Sequence, residues 1–365
     1  MRILITGVCG FVGTSLVREM RQAHPDWELI GLDNFSRAGS WRNKECVEAE
    51  AGVRLFHGDI RSASDLETLP PCDWVLDAAA NPSVLAGVDG QTSSRQLVEH
   101  NLAGTINMLE YCRRHEAGFI LLSTSRVYSI PPLAGLSMRV EQSNEGRNRF
   151  TPEPGTPMPP GVSPVGVAES FSTEPPVSLY GSTKVASEHL AREYGCTYGF
   201  PVWINRCGVL AGAGQFGHPA QGIFAFWVHA FREGRPLKYI GFDGNGRQVR
   251  DCLHPRDLLP VIGKQMAAGN DTSGKPAVVN LAGGLGNSMS LAELTRWCRK
   301  RYPDSPTGEP QSSPENRPFD LPWVVLDTHR ASETWNWRAG TPIESILGEI
   351  AAFADDHPEW LSLTF

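Results

Sequence analysis

Through the first two hundred residues, short apolar runs alternate with stretches whose apolar positions recur every three to four residues. The runs at 2–6, 28–32, 53–57, 74–78, 119–123 and 201–205 have strand length, and 11–22, 96–114 and 179–194 have helical period. Strand, helix, strand repeated this often predicts an α/β fold, a doubly wound parallel sheet with helices on both faces. Ligands of such sheets bind beyond the carboxyl ends of the strands, so chemistry is expected in the residues that follow each strand.

Two stretches depart from this rhythm. Residues 131–176 hold ten of the chain's 28 prolines, which excludes a long helix there. A loop of that length is either functional, here a lid that keeps water out, or a disordered surface segment. Beyond residue 206 the alternation loosens and Gly, Trp and other aromatics become frequent. The expected division is a sheet domain over 1–205, with 131–176 inserted, and a smaller substrate-holding lobe over 206–365 that partly returns to the sheet.

Composition narrows the function classes. Lys and Arg total 33 against 40 Asp and Glu, a net charge of −7, which argues against a surface built for nucleic acid or an anionic membrane. No apolar run approaches the roughly 18–20 residues of a membrane span. The chain enters its first strand without a charged leader, and its eight cysteines are scattered with no C-x-x-C pair. A cytoplasmic protein with reduced thiols is the expectation. The ten histidines form no metal-ligand spacing and no G-x-S-x-G elbow is present, so neither a metal centre nor a serine nucleophile is expected.

Gly7-Val8-Cys9-Gly10-Phe11-Val12-Gly13 follows the first strand and opens the first helix. Its glycines let backbone approach a diphosphate and let helix pack on strand, while the helix N-terminus offers free N–H groups. Twenty residues past Gly13, Asp33 ends the second strand, where a carboxylate would accept from both adenosine ribose hydroxyls and repel a 2′-phosphate. NAD is therefore favoured over NADP, although Arg37 nearby is of the type that accepts such a phosphate. Asp59 and Ile60 after the third strand are expected at the adenine edge and face. Ala78, Ala79 and Ala80 after the fourth are small enough for backbone to lie beside the dinucleotide. This is the pattern of a Rossmann-type NAD-binding domain.

Tyr180-Gly181-Ser182-Thr183-Lys184 supplies the chemistry. Tyr and Lys four apart share one helix face, and an ammonium there would draw the phenol's pKa down toward neutrality, making it a general base. Thr124, at the end of the 119–123 run, offers a hydroxyl that would orient the substrate alcohol; alternatively it merely caps a turn.

Glycine loop, Asp33, Thr124 and Tyr180-x-x-x-Lys184 together resemble the extended short-chain dehydrogenase/reductases of the nucleotide-sugar epimerase and dehydratase group, over nearly the whole chain. The resemblance implies bound NAD, further cofactor contacts from Asn34, Ser36, Asn101 and Ser123, and a nucleotide-diphosphate sugar as substrate. It implies substrate contacts from Thr124, Arg206 and Gln221, with Arg250 and Arg317 as the cations for the diphosphate. It also implies a homodimer through the helices at 96–114 and 179–194. Dehydratases of the group follow the Thr with an Asp-Glu pair; here Ser125-Arg126 stands there. Asp33–Arg37, Ser123–Tyr128, the long insertion and Gly244–Asp251 resemble the branch that epimerises C2 of CDP-paratose or CDP-tyvelose. Val209, Ala211 and Asp77 depart from the group's usual residues. A UDP-sugar C4-epimerase, an NAD(P)-dependent sugar-nucleotide reductase and a non-catalytic dinucleotide-binding protein remain the alternatives.

Overall fold

Within each strand of the central sheet, odd and even side chains enter different cores. Ile3 and Ile5 join one cluster with Leu16, Val17 and Met20, whereas Leu4 joins another with Met108 and Leu109. Both faces of the sheet are thus covered, as expected when strands are near-continuous in Val, Ile and Leu. The chain is described from a computed structural model covering residues 1–88, 90, 93–143, 146–219, 221–271 and 274–364. The sheet contains β1 (Arg2–Thr6), β2 (Glu28–Asp33), β3 (Arg54–His57), β4 (Trp74–Asp77), β5 (Gly118–Thr124), β6 (Val202–Cys207) and β7 (Val278–Leu281), all parallel, in the order β7-β6-β5-β4-β1-β2-β3. The order reverses between β1 and β4, which opens a crevice above their carboxyl ends. The sequence pattern gives the first six strands to within two residues at either end; β7 comes from the loosened C-terminal part.

The helices that matter here are α1 (Phe11–Ala23), α2 (Gly104–His115) and α3 (Ser178–Tyr198). The single helix expected over 96–114 is instead Ser94–Val98, one wide i→i+5 turn over Glu99–Ala103, and α2. Asn101 causes a local demand there, because its carbonyl accepts from both Thr105 Oγ1 (2.9 Å) and Ser187 Oγ (3.1 Å). Such bulges are frequent at functional sites.

Among its described residues, the 131–176 insertion is built of short elements that dock on the rest of the chain. It forms one short helix (Ile130–Ala134, with Pro131 and Pro132 in its first turn), a hairpin (Met138–Gln142 with Asn148–Pro152) and a tight two-residue pair (Val162–Ser163 with Gly166–Val167). Residues 144 and 145 lie outside the described residues. The insertion is anchored at both ends of its path. Arg149 makes a buried ion pair with Glu293, and Glu169 Oε1 accepts from the Asn280 N–H on β7 at 2.7 Å. A second, four-stranded sheet (Val209–Leu210, Val249–Leu253, Ser288–Ser290, Trp323–Val324) and the helices Ile223–Arg232, Leu291–Arg301 and Ile343–Asp356 make up most of the C-terminal part.

Candidate active site

At the reversal point the glycine loop and the end of β4 touch. Gly7 adopts φ +63°, and a Cβ there would lie 3.0 Å from Ala79 Cα. A Cβ on Gly13 would meet Gly7 O at 2.4 Å, so only glycine lets α1 sit on the loop. Thr6 knits the two sides together: its hydroxyl donates to Asp77 Oδ1 (2.6 Å) and accepts from the Ala78 and Ala79 N–H groups (both 3.1 Å). Thr6 was not singled out from sequence, and a hydroxyl at the last residue of β1, before the first glycine, was the available signal. Phe11 starts α1 with its ring against Gly212, and Val12 packs on the core. Ala80 is exposed beyond the crevice.

Asp33 ends β2 with its carboxylate against the loop, accepting from Cys9 N and Phe35 N, both at 2.8 Å. Burial pushes its carboxyl above the usual range, opposed by the N–H groups of Phe35, Cys9 and Gly10 and by His57. Asn34 donates to Asp59 Oδ2 (2.9 Å) and accepts from Ser36 N (2.9 Å). Burial acts to raise Asp59, but Arg61 and Asn34 outweigh it and hold the carboxylate well below its ordinary value. Ile60 packs on Gly104 of α2. Arg37 points away from a 2′-phosphate role: it donates to Gln221 Oε1 (2.8 Å) and Phe216 O (2.9 Å). Gln221, expected at substrate, is therefore joined to the cofactor-side loop. Asn101 spans from the β4 loop to α3, with Oδ1 accepting from Asn81 N (2.7 Å) and Nδ2 donating to Asn81 O (3.0 Å) and Thr183 Oγ1 (3.3 Å).

Beside this crevice, the end of β5 meets α3. Thr124 Oγ1 accepts from Arg126 N at 3.2 Å, and the Thr124 hydroxyl lies near enough to the Tyr180 phenol to favour its ionised form. Tyr180 does not show the depressed pKa expected from Lys184. Burial pushes the phenol up, Thr124 and Arg126 pull it down, and Cys207 adds to the rise. Lys184, one turn further along α3, is 2% exposed and is itself lowered by burial, with Asp77, Glu188 and Cys207 opposing. Among the described residues its ammonium has no hydrogen-bond or ion-pair partner.

Two expected ligand contacts are engaged inside the protein. Ser123 Oγ donates to Glu188 Oε1 at 2.5 Å, and Arg206 grips Glu188 through Nε (3.1 Å) and Nη2 (2.6 Å), with its guanidinium 5.1 Å from the Tyr128 ring centroid. Their side chains join β5, α3 and β6. Glu188, four residues after Lys184 on the same helix face, was not singled out from sequence.

The 317–320 segment and its surroundings gather guanidinium side chains. Arg250 Nη2 pairs with Asp320 Oδ1 (2.6 Å) and its Nη1 donates to Val249 O, while Arg317 Nη1 donates to Pro219 O (2.8 Å). Arg126, unassigned from sequence, reaches Phe319 O with Nη1 at 3.1 Å. Burial pulls Arg126 down to about 10, Arg250 adds to the fall, and Asp320 and Tyr180 oppose it.

A profile of the NAD dependent epimerase/dehydratase family matches residues 3–282. The chain is 28% identical to CDP-paratose 2-epimerase of Salmonella typhi over 301 residues, 80% of this chain and 82% of that protein. The structure of UDP-glucuronic acid 4-epimerase from Bacillus cereus with UDP-glucuronic acid and NAD matches with a TM-score of 0.72 at 20% identity, over 98% of this chain and 99% of that one. A dTDP-glucose 4,6-dehydratase double mutant from Streptomyces venezuelae with NAD bound matches with a TM-score of 0.75 at 24% identity, over 100% of both chains. The two structures are likenesses of fold.

Proposed function

Since the chain belongs to the NAD dependent epimerase/dehydratase family, we propose that it inverts one carbon of a nucleoside-diphosphate sugar, C2 of a CDP-linked sugar of the paratose and tyvelose kind, through a transient ketone. That it is an NAD-dependent enzyme of the epimerase kind follows from the family and from the 28% identical relative. The crevice fits NAD on its own residues. Gly7 and Gly13 leave room that any Cβ would fill, Asp33 stands at the end of β2, and the Lys184 ammonium is buried without a partner among the described residues. Gly7, Gly10, Phe11, Val12, Gly13, Asp33, Asn34, Ser36, Asp59, Ile60, Ala78, Ala79, Asn101, Tyr180 and Lys184 would hold it. When bound, NAD accepts a hydride from the sugar carbon and gives it back.

The chain's own task is then proton management. Tyr180 takes the proton from the alcohol on the reacting carbon and returns it once the configuration has changed. Thr124 stands beside the phenol, where its hydroxyl favours the ionised form and would orient the substrate alcohol. Lys184 anchors the cofactor side of the crevice. Arg250 and Arg317 face the substrate diphosphate, where guanidinium donors suit phosphate oxygens. Ser123 and Arg206 we assign to the framework through Glu188, and Gln221 with Arg37 to holding the 216–221 turn. The observation that carries the reading is the buried Tyr180 beside Thr124, with Ser125 and Arg126 following Thr124 in place of carboxylates that could eliminate water.

We propose in addition a homodimer through the outer faces of Ser94–Val98 and α3, where Val98 and Leu179 are exposed by 42% and 41%. The functional test is incubation of the purified protein, with no cofactor added, with CDP-, UDP-, dTDP- and GDP-sugars, read by NMR. Inversion at C2 of a CDP-sugar is expected; inversion at C4, or a 4-keto-6-deoxy product, would replace the reading. Mass spectrometry of small molecules released on denaturation should find NAD.

A further inference from the structure

We propose that Arg37 and Trp360 are positioning residues of a clasp that fastens the loop after β2 to the chain leaving β6, and that this clasp keeps NAD resident by closing the adenosine end of the crevice. This rests on the reading of the crevice as the NAD site. The loop at 34–43 belongs to the cofactor side. It starts after Asp33, whose carboxylate accepts from Cys9 N, and it ends at Asn43, whose Nδ2 donates to Cys9 O at 2.9 Å. Both ends are thus tied to one residue between the first two glycines. The chain that leaves β6 meets this side at two points. A Cβ on Gly212 would lie 3.3 Å from the Phe11 ring at the start of α1, and a Cβ on Gly39, where φ is +83°, would lie 2.9 Å from Phe216 Cε1. At the second point Arg37 makes the fastening. Its Nη1 donates to Gln221 Oε1 (2.8 Å) and its Nη2 to Phe216 O (2.9 Å), with the guanidinium 5.9 Å from the Phe216 ring centroid. Two donors on one planar group fix direction as well as distance.

Phe216 is backed by the turn Trp360–Thr364. Its ring stacks on Trp360, with centroids 5.0 Å apart and planes at 17°, and both residues are buried. Trp360 Nε1 donates to Gln215 O at 3.2 Å, and Thr364 Oγ1 donates to Gly217 O at 2.8 Å. Leu363 closes on Gly39, where a Cβ would stand 3.1 Å from its own. The turn therefore presses the 215–217 backbone onto Gly39 and Arg37. An aromatic stack and a guanidinium fork together hold a segment of the C-terminal part against the loop that follows the ribose carboxylate. A fastening that must open before the dinucleotide leaves acts on the off-rate, where most affinity differences between variants of one site lie. For a cofactor regenerated in every cycle, slow exit has no effect on turnover. For one exchanged in every cycle, it would limit kcat. The clasp thus favours a resident NAD over the exchangeable cofactor of a net reductase.

The test is exchange of the protein's own NAD for added NAD carrying deuterium on the nicotinamide ring, read by mass spectrometry of the cofactor released on denaturation. In Arg37→Met and in Trp360→Leu exchange should be about tenfold faster or more than in the unaltered protein, the size expected when hydrogen bonds to a charged group are lost. Gln221→Glu gives Arg37 a carboxylate to grip, so it should slow exchange below that of the unaltered protein. The same change in the Arg37→Met background should not slow it. A merely structural role would not produce slowing that depends on Arg37. Arg37→Gln replaces Met if that variant does not fold. Unchanged exchange in both Arg37→Met and Trp360→Leu, or the same effect of Gln221→Glu in the two backgrounds, would overturn the clasp. Unaltered protein that neither carries nor takes up NAD would overturn the reading of the crevice itself, and it is seen before any variant is made.

Discussion

The Tyr180 phenol is buried beside the Thr124 hydroxyl, which favours its ionised form. A phenol so placed loses its catalytic value when the oxygen is removed, and little else should change. Tyr180→Phe is expected to lower kcat by about 10²–10⁴-fold, the usual contribution of a positioned acid–base group, while retaining bound NAD; kcat and released cofactor measure the two. Gly13→Ala addresses the other half of the crevice. Its Cβ would collide with Gly7 O at 2.4 Å, and overpacking of about 1–3 kcal/mol is expected, with NAD lost on gel filtration. At this scale the sequence was most legible where spacing dictates geometry. Glycines 7, 10 and 13, Asp33 and the Tyr180/Lys184 pair all fall at the reversal point or beside it. It was least legible where a polar side chain chooses among partners. Nothing in a linear pattern tells Ser123 and Arg206 to close on Glu188, or Arg37 to close on Gln221 and Phe216.

Elements are held in register by those hidden pairs. Ser123 on β5, Glu188 on α3 and Arg206 on β6 form one buried network, with Arg206 and Glu188 side chains 9% and 4% exposed. Removing one partner of a buried pair leaves the other charge uncompensated. Arg206→Met should cost about 3–5 kcal/mol, seen as a fall in the denaturant midpoint at constant m. If Arg206 instead touched substrate, KM would rise with little loss of stability. Periodicity found β1 to β6 because apolar strands buried on both faces are continuous runs. It missed the wide turn at Glu99–Ala103, which conserves helical period on either side and is set by the inward Asn101. It also could not decide the insertion, whose prolines exclude a long helix but say nothing about docking. The anchors Arg149 and Glu169 lie in polar stretches that resemble a solvated loop.

At the scale of the whole molecule, the titration of the buried carboxylate of Asp251 should be visible in stability. Asp251 is fully buried beside β6, with Oδ2 accepting from Leu326 N at 2.9 Å. Burial pushes it up to about 7, opposed by the N–H groups of Leu326, Val209 and Gly284 and by Arg250. An unfolded Asp titrates near 3.9, so between about pH 4 and 7 the folded protein retains a proton that the unfolded chain has released. Stability should therefore fall as pH rises through that window. Asp251→Asn should remove that slope in urea titrations at pH 5 and pH 7 (round values inside that window); an unchanged slope would reassign it to another group. For the assembly, Leu179→Arg together with Val98→Arg should convert the proposed dimer to monomer by analytical ultracentrifugation, and an unchanged mass would refute that interface. The central claim concerns the reacting carbon, and it is tested most directly with a CDP-sugar carrying deuterium on C2. The account expects product of opposite configuration that keeps the deuterium at C2, formed without added cofactor and with none lost to water. Deuterium washed out into solvent, or retained with inversion at another carbon, would contradict it.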